Sequence, residues 1–309
     1  MLHAIDRFSF FQGVLHLRGW VHGGERVRGL ELLLPGGRRH PIRSFGLPSP
    51  DVAAVHGEDA GRARFDEKLT VAASISDVIA ATLRVAFTGG GTVELTELGR
   101  PVHDPVHALY DRFHALVRER PAGRLLEVGS RARSGIIRRD IAPAGWDYSG
   151  LDVLAGPNVD VVGDAHRVSS LYPASHFDAV MSFSVLEHLM MPWKFVLELN
   201  RVLKPGAIGV FTTHQCWPLH DQPWDFWRFS DQAWTGLLNA ATGFEIVDAR
   251  LGEPAFVVAE KCHPATAFAE TAAASLSSGV LFRKIGETAL EWPVELGDLT
   301  RTHYPPDTD

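Results

Sequence analysis

The stretch Arg124-Leu-Leu-Glu-Val-Gly-Ser-Arg-Ala-Arg-Ser-Gly135 decides the fold of this 309-residue chain. It contains the run Leu125-Leu-Glu-Val128, which is typical of a strand that is buried on both faces. Gly129 allows a sharp turn, and the residues from Ser134 to Arg139 predict the start of a helix. A strand, a glycine turn and a helix open a parallel α/β sheet, which binds ligands at the carboxyl ends of its strands.

Further strands are predicted in order after this unit. They cover residues 146–152, 158–165 and 207–213, and residues 177–188 are predicted to be a strand that runs into a helix. The second and third strands of the sheet each end at an acid, Asp152 and Asp164. A single Glu-x-Gly sequence would indicate only a tight turn, so the prediction depends on the ordered set.

This ordered set resembles the class I S-adenosylmethionine-dependent methyltransferases of the bacterial small-molecule type, over about residues 105–285. The segment Leu186-Glu-His188 and the turn Leu203-Lys-Pro-Gly206 are part of the resemblance. It implies a Rossmann-like, doubly wound sheet of seven strands, in which residues 243–248 and 277–284 form an antiparallel edge hairpin. Arg131 and Arg133 stand where the family usually has glycines, so the loop after Gly129 departs from the family pattern.

The resemblance implies S-adenosyl-L-methionine as the cofactor. This sulfonium donor has no phosphates, so it needs close backbone approach and hydrogen-bond acceptors. Glu127 and Gly129 are expected to hold its amino-acid part, and Asp152 its ribose hydroxyls, as acids do in dinucleotide folds. The predicted cofactor site comprises Glu127, Gly129, Ser130, Asp152, Val153, Asp164, Ala165 and Ser182.

Two alternatives bear on this site. Taken alone, Asp152 and Asp164 are more simply interpreted as acids that cap a strand end or a turn. A nicotinamide cofactor is disfavoured, because Gly129 and Gly135 lack the middle glycine of the Gly-x-Gly-x-x-Gly fingerprint.

Residues 214–230 are unusually aromatic, and four of the eight tryptophans lie between Trp217 and Trp234. Aromatic faces beside hydrogen-bonding groups are typical of small-molecule pockets. The predicted substrate site comprises Trp217, His220, Asp225, Trp227 and Arg228. Alternatively, the aromatic side chains plug the loop into the core. A metal site formed by His214, His220, Asp221 and Asp225 matches no established spacing, so no metal is predicted.

Methylation of a hydroxyl needs a base within hydrogen-bond reach of it. His188 follows the fourth strand and His214 ends the fifth, so both can face the donor methyl. His214 is ranked first because it opens the aromatic loop, whereas His188 and Glu187 can instead shape the start of a helix. With 15 histidines in the chain, position alone distinguishes these two.

Residues 1–97 predict a separate antiparallel β-sandwich-like domain. Strands are expected over residues 8–20, 27–34, 62–71 and 83–87, with one short helix at 50–55. The glycines at 89–91 favour a hairpin turn and not a phosphate-binding loop, because no Lys-Ser/Thr or helix follows them.

Residues 98–105 are predicted to be a linker, 106–287 the methyltransferase domain and 288–309 an extended, partly disordered tail. A helix at 106–117 is expected to place Tyr110 and Phe113 either in the core or over the cofactor. The alanine-rich part of residues 252–274 is expected to add a helix over the substrate side.

The composition excludes several other classes of function. A net charge of −7 without a basic run argues against nucleic acid, and no apolar stretch is long enough to span a membrane. Cys216 and Cys262 cannot form a disulfide framework, and no secretion signal is found, so the cytoplasm is the expected compartment.

The sequence therefore predicts a methyltransferase that modifies a hydroxyl, preferably of a sugar or glycosylated metabolite. Two alternatives stay open: an amine acceptor, and a non-catalytic protein that keeps the methyltransferase fold. A homo-oligomer formed through the N-terminal domain is a further possibility.

Overall fold

A computed structural model describes residues 1–99, 104–261 and 264–305. The chain divides into two compact units, Met1–Val102 and His103–Asp309. The described part of the chain contains no helix that is both long and apolar enough to cross a membrane.

The first unit consists of two four-stranded antiparallel sheets. Its elements are β1 (Leu2–Phe11), β2 (Val14–His22), β3 (Val27–Leu34), β4 (Arg38–Ile42), β5 (Phe45–Leu47), α1 (Pro50–His56), β6 (Arg64–Thr70), α2 (Ile75–Ile79), β7 (Thr82–Phe87) and β8 (Thr92–Leu95). The strand orders are β1-β2-β6-β5 and β4-β3-β7-β8. Leu15 and Leu17 of the first sheet and Leu30 and Leu32 of the second lie in one core, which confirms the predicted antiparallel β-fold.

One predicted strand of this unit is wrong. The sequence predicts a single strand over residues 8–20, but β1 ends at Phe11 and β2 begins at Val14. Gln12 and Gly13, with φ of 46° and 78°, form the two-residue turn between them. Positive φ at both central residues is typical of hairpin turns, and the apolar residues on both sides conceal the turn in the sequence.

The second unit contains a seven-stranded sheet of order β11-β10-β9-β12-β13-β15-β14. Its strands are β9 (Gly123–Val128), β10 (Trp146–Asp152), β11 (Val161–Val162), β12 (Phe177–Phe183), β13 (Leu203–His214), β14 (Phe244–Ala255) and β15 (Ala274–Lys284). Strands β9 to β13 pair in parallel, and β15 pairs antiparallel with both β13 and β14. This arrangement confirms the doubly wound fold and the antiparallel edge hairpin.

Helices cover both faces of the sheet. They are α3 (Pro105–Arg118), α4 (Val168–Leu171), α5 (Pro192–Val202), α6 (Ala233–Leu237), α7 (Ala267–Thr271) and α8 (Leu296–Leu299). Leu125 packs with α3 on one face and Leu126 packs with α5 on the other, because successive side chains of a strand point to opposite faces. Phe113 of α3 is fully buried and Tyr110 packs edge-on against Phe183, which supports their interpretation as core residues.

Two local predictions in this unit are wrong. No α-helix follows β9: the described chain from Gly129 to Asp140 is a loop that ends in a 3₁₀ turn. Ile136 and Ile137 are exposed neighbours, and adjacent residues cannot form the apolar stripe that a surface helix buries. The predicted turn at residues 203–206 lies within β13, where Gly206 has a φ of 76°.

The described ends of the predicted linker belong to the flanking units. Leu98 lies in the core of the first unit, while Asp104 caps α3 by accepting a hydrogen bond from the Val106 amide (2.9 Å). Pro101, within this linker, and Cys262 lie outside the described residues. Cys216 is a free thiol.

Residues 288–305, which were expected to be an extended and partly disordered tail, contact the second unit. Lys194 of α5 is buried and donates hydrogen bonds to the Val294 carbonyl (2.7 Å) and the Glu295 carboxylate (2.9 Å). Trp292 packs edge-on against Trp193. Because a buried ammonium group requires acceptors, these contacts attach the segment to the second unit. The rest of the predicted tail, residues 306–309, lies outside the described chain.

Candidate functional site

A cavity of about 770 Å³ opens at the carboxyl ends of β9, β10 and β12. The loops after these strands line it, together with side chains from two segments that lie far away in sequence, residues 220–224 and 296–304. The volume is in the range of pockets that hold drug-sized ligands. The position is the one at which open α/β sheets bind ligands.

The glycine turn after β9 forms part of the cavity wall. Gly129 has a φ of 79°, and a Cβ atom there would lie 2.0 Å from Cγ2 of Val185. Only glycine fits, because this φ is unfavourable for other residues and the neighbouring side chain fills the space.

Glu127 supports this loop from below and does not line the cavity. Its buried carboxylate accepts hydrogen bonds from Tyr148 Oη and from Asn158 Nδ2 (3.3 Å), and lies 3.5 Å from Arg138 Nη1. Burial raises the pKa of Glu127, although these partners favour the charged form. The sequence predicts that Glu127 contacts the cofactor directly, whereas in the structure its carboxylate bonds to side chains behind the cavity wall.

Asp152 and Val153, at the end of β10, line the cavity. The Asp152 carboxylate accepts hydrogen bonds from the backbone amides of Arg131 (3.1 Å) and Leu154 (3.0 Å). A carboxylate offers about four lone-pair positions, so two remain for a ligand. Asp152 therefore lies in the cavity wall, as predicted, and also fixes the loop through these two amides, which was the alternative interpretation.

Asp164 and Ala165 line the cavity beside β10. Asp164 accepts hydrogen bonds from the His166 amide (2.9 Å) and from His166 Nδ1 (2.7 Å). Burial alone would raise the pKa of Asp164, but its contacts with His166 lower it. Since His166 Nε2 accepts from the Met191 amide (3.2 Å), the imidazole is fixed as the neutral Nδ1–H tautomer.

The structure does not place the two predicted serines at the cavity wall. Ser182 is fully buried inside the sheet and donates its hydroxyl hydrogen to the Val128 carbonyl (3.0 Å). Ser130 is also buried, and neither residue belongs to the described lining. Strand β12 lies next to β9, so the Ser182 hydroxyl finds its hydrogen-bond acceptor on the neighbouring strand and not in the cavity.

The aromatic loop at residues 214–230 has two parts. Among its described residues, the cavity is lined by His220, Asp221 and Trp224. Trp217 stacks on His214, whereas Trp227 donates its Nε1 hydrogen to the Leu189 carbonyl (3.0 Å). Of the five predicted substrate residues, only His220 therefore reaches the cavity.

Asp225 and Arg228 support the loop. Arg228 donates two hydrogen bonds to the fully buried Asp225 carboxylate, at 2.6 and 2.7 Å. The Arg228 guanidinium lowers the pKa of Asp225 to about 2. Asp225 also lies 3.2 Å from His220 Nδ1. Asp225 and Arg228, which were predicted to bind substrate, therefore hold His220 in position: Asp225 contacts its ring and Arg228 fixes Asp225.

A second ion pair crosses the mouth of the cavity. Arg133 Nη1 donates to Asp221 Oδ2 (2.6 Å), and the Tyr304 hydroxyl donates to the same oxygen (2.6 Å). Contact with Arg133 lowers the pKa of Asp221 to about 2, while burial and Asp221 raise the pKa of Tyr304. No sequence pattern indicated Tyr304, which lies more than 80 positions from Asp221.

His188 and His214 meet around the fully buried carboxylate of Glu187. His188 lines the cavity, and its Nδ1 lies 2.6 Å from the Trp224 carbonyl oxygen, with Nε2 4.0 Å from Glu187 Oε1. His214 lies outside the described lining, with Nε2 3.3 Å from the same Glu187 oxygen. Burial lowers the pKa of His214. Of the two predicted bases, His188 therefore reaches the described cavity lining and His214 does not.

The four residues of the alternative metal prediction do not converge. Asp221 pairs with Arg133 and Asp225 with Arg228, so both carboxylates are already neutralised by arginine. The described residues of the β14–β15 connection (256–273) do not line the cavity, although a helix was expected over the substrate side.

Comparison with known proteins agrees with this geometry. Residues 126–211 match the family model described as a methyltransferase domain. This match runs from within β9 to within β13 and therefore includes the carboxyl ends of β9, β10 and β12, which form the cavity. No curated protein sequence matches the chain.

Several solved structures resemble part of the chain at low sequence identity. The 1,6-didemethyltoxoflavin-N1-methyltransferase of Burkholderia thailandensis is 13% identical, with a TM-score of 0.42 over 59% of this chain and 78% of that one. A SAM-dependent methyltransferase from Archaeoglobus fulgidus is 15% identical, with a TM-score of 0.40 over 59% and 100%. The [4+2]-cyclase SpnF is 23% identical, with a TM-score of 0.38 over 57% and 81%.

The cavity lies at the carboxyl ends of the parallel strands, and the segment that builds this edge matches the methyltransferase-domain model. The second unit of the chain therefore combines a doubly wound sheet with a segment, residues 126–211, that matches a methyltransferase domain.

Proposed function

We propose that the enzyme transfers a methyl group to a hydroxyl of a small polar molecule, preferably a sugar or a glycosylated metabolite. The observation that carries the proposal is His188, an imidazole in the cavity wall with one nitrogen free to act on an acceptor. The carbonyl of Trp224 can only accept a hydrogen bond, so His188 Nδ1 carries hydrogen, and Nε2 is the nitrogen that holds the lone pair in the neutral imidazole.

The residues at the other end of the cavity fit the cofactor. Gly129 permits close backbone approach, and Asp152 has lone pairs for the ribose hydroxyls. Asp164 and Ala165 would meet the adenine. When bound, S-adenosylmethionine supplies an electrophilic methyl group on a sulfonium centre. None of these contacts requires a phosphate-binding cradle.

His188 is the residue that we assign to activation of the acceptor hydroxyl. Its Nε2 lies 3.8 Å from Asp221 Oδ2 and 4.0 Å from Glu187 Oε1, so positive charge that develops on this side of the cavity is stabilised. His214 lies outside the cavity lining, and its Nε2 is 3.3 Å from Glu187 Oε1, so we assign it to positioning that carboxylate. His220 and Trp224 would contact the acceptor, since a polar ring beside an indole suits a polyol.

The first unit is proposed to be an accessory domain that contributes to substrate affinity or to assembly. The free thiol of Cys216 is compatible with the reducing cytoplasm, where we propose that the reaction takes place.

A panel of sugars, glycosides, amines and phenols, assayed with a methyl-labelled donor, tests the proposal. We expect product with hydroxyl acceptors, and NMR of the product identifies the methylated atom. Replacement of His188 by Ala is expected to lower single-turnover rates by roughly 10²–10⁴-fold. Affinity for S-adenosylhomocysteine should stay unchanged.

His107→Gln is the matched control, because His107 lies on the exposed face of α3. A fall of less than tenfold for His188→Ala, with saturating acceptor, would contradict the assignment. Product formed only on nitrogen would contradict the choice of a hydroxyl.

A further inference from the structure

Glu187 presents a buried carboxylate oxygen that has no hydrogen-bond donor in the part of the chain that the structure describes. Its Oε2 accepts the Thr213 hydroxyl hydrogen (2.6 Å). Its Oε1 is buried, and no group among the described residues donates to it with hydrogen-bond geometry, although His214 Nε2 lies 3.3 Å away. An unpaired carboxylate oxygen is costly to bury, and a cation bound at Oε1 would offset this cost.

His188 and His220 share a feature that is common among metal-binding histidines. His188 Nδ1 bonds to the Trp224 carbonyl, and His220 Nδ1 lies 3.1 Å from the Pro218 carbonyl and 3.2 Å from Asp225 Oδ2. These partners can only accept, so both Nδ1 atoms carry hydrogen, and in the neutral imidazole Nε2 is the nitrogen with the lone pair. Metal-ligating histidines are held in this way by a carbonyl or carboxylate behind the ring.

The three side chains converge closely enough to share one ion. A ligand atom from each of Glu187, His188 and His220 lies within 4.8 Å of the other two. Bonds of about 2.0–2.2 Å to a tetrahedral ion place ligand atoms roughly 3.3–3.6 Å apart. Side-chain rotations that move these atoms by about an ångström would therefore close the site. Both histidines line the cavity, so a coordination position left open by these three ligands would face it.

We propose that Glu187, His188 and His220 bind one divalent transition-metal ion, with zinc the best match to two imidazoles and a carboxylate. The role of this ion rests on the proposed function: the acceptor hydroxyl takes the open position, where its pKa falls. Its proton passes to water and its oxygen forms a bond to the methyl carbon. The carbon–sulfur bond breaks, and its electron pair remains on sulfur. His188 then activates the hydroxyl as a ligand of the ion.

Metal binding can be measured without cofactor or acceptor. The untagged full-length protein is stripped with a chelator and titrated with Zn²⁺ by calorimetry and with Co²⁺ by visible absorption. We expect one equivalent of each ion, with a cobalt spectrum typical of nitrogen and oxygen ligands. Glu187→Gln and His220→Ala should each weaken Zn²⁺ binding by at least 100-fold, and His107→Gln should leave it unchanged.

Thr213→Val serves as a milder variant in case the ligand variants fail to fold. It removes only the hydroxyl that orients Glu187, and a change of this kind typically costs 10–100-fold in metal affinity. Stoichiometric binding that is unaffected by Thr213→Val and by either ligand change would overturn the site, as would the absence of binding in the folded wild type.

Activity assays separate this inference from the proposed function. If chelator-stripped enzyme methylates an acceptor at the full rate, the metal role is wrong while the proposed function stands. If the site binds Zn²⁺ and no hydroxyl acceptor is methylated, the site stands and the proposed function fails. Loss of turnover on stripping, with recovery on addition of Zn²⁺ and unchanged S-adenosylhomocysteine affinity, supports both.

Discussion

At the scale of single residues, the cofactor end of the cavity depends on a few side chains whose size or charge is fixed by close neighbours. Gly129 has no room for a Cβ atom beside Val185, and Asp152 holds two loop amides while it faces the cavity. Each residue therefore shapes the loop around it and also lines the cavity. Substitutions with matched controls can separate the two contributions.

Replacement of Gly129 by Ala is expected to destabilise the protein by roughly 2–6 kcal/mol. Positive φ costs about 1–3 kcal/mol for alanine, and the contact with Val185 adds an overpacking cost of similar size. Gly135→Ala is the control, because Gly135 has a φ of 76° but a Cβ atom there would meet nothing within 4 Å. Equal loss of stability for the two variants in urea unfolding would show that the contact with Val185 contributes nothing.

Replacement of Asp152 by Ala is expected to weaken S-adenosylhomocysteine binding by roughly 1–3 kcal/mol, the usual loss for a hydrogen bond to a charged group. Calorimetry measures this change directly. Asp147→Ala provides the comparison, since Asp147 lies on the same strand with its side chain exposed. Unchanged affinity in a folded Asp152→Ala variant would remove Asp152 from the cofactor site.

At the scale of elements, the C-terminal segment closes one side of the methyltransferase cavity. Leu296, His303 and Tyr304 line it, and Trp224 Nε1 donates a hydrogen bond to Thr302 Oγ1 (3.1 Å). The aromatic loop and this segment therefore hold each other in place through Thr302 and Tyr304. The segment also supplies the acceptors of buried Lys194.

Two truncations should separate these roles. A chain ending at Leu299 loses the bonds to Trp224 and Asp221 but keeps the acceptors of Lys194, so S-adenosylhomocysteine should bind roughly tenfold more weakly with the fold retained. A chain ending at Glu291 leaves a buried cation unpaired, which typically costs about 3–5 kcal/mol. Thermal unfolding and calorimetry provide the two readouts. The same affinity for the Leu299 truncation and the full chain would show that the segment does not close the cavity.

At the scale of the whole molecule, each unit has its own hydrophobic core. Fifteen buried residues from Leu15 to Leu98 form the core of the first unit, and the two core clusters of the second begin at Leu109 and Leu126. A unit with its own hydrophobic core can in principle fold on its own.

A protein that begins at Asp104 is expected to fold and to bind S-adenosylhomocysteine within about twofold of the full chain. Asp104 must be retained because its carboxylate caps α3. Isothermal titration of both proteins provides the comparison, and acceptor turnover then measures what the first unit adds. An insoluble product, or a folded one that does not bind, would show that the units depend on each other.

The sequence by itself determined the parts that depend on local pattern and chain order. The apolar run at 125–128, the turn at Gly129 and the acid Asp152 identify the parallel sheet and its ligand edge, because strand periodicity and glycine turns are properties of adjacent residues. The two antiparallel sheets of the first unit follow from the same kind of pattern. The prediction of a helix after β9 was wrong, because the only large apolar residues in the predicted helix start at 134–139 are the adjacent pair Ile136 and Ile137, and both are exposed.

Only the tertiary structure decided which polar groups meet. Glu187, His188 and His220 converge because the end of β12 and the loop after β13 lie side by side in the sheet, more than 30 positions apart in sequence. Tyr304 reaches Asp221 across more than 80 positions, where no periodicity connects them. Likewise, Trp217 and Trp227 pack against the protein while Trp224 faces the cavity. The physical reason is that such contacts arise from packing and burial, which adjacent residues do not encode.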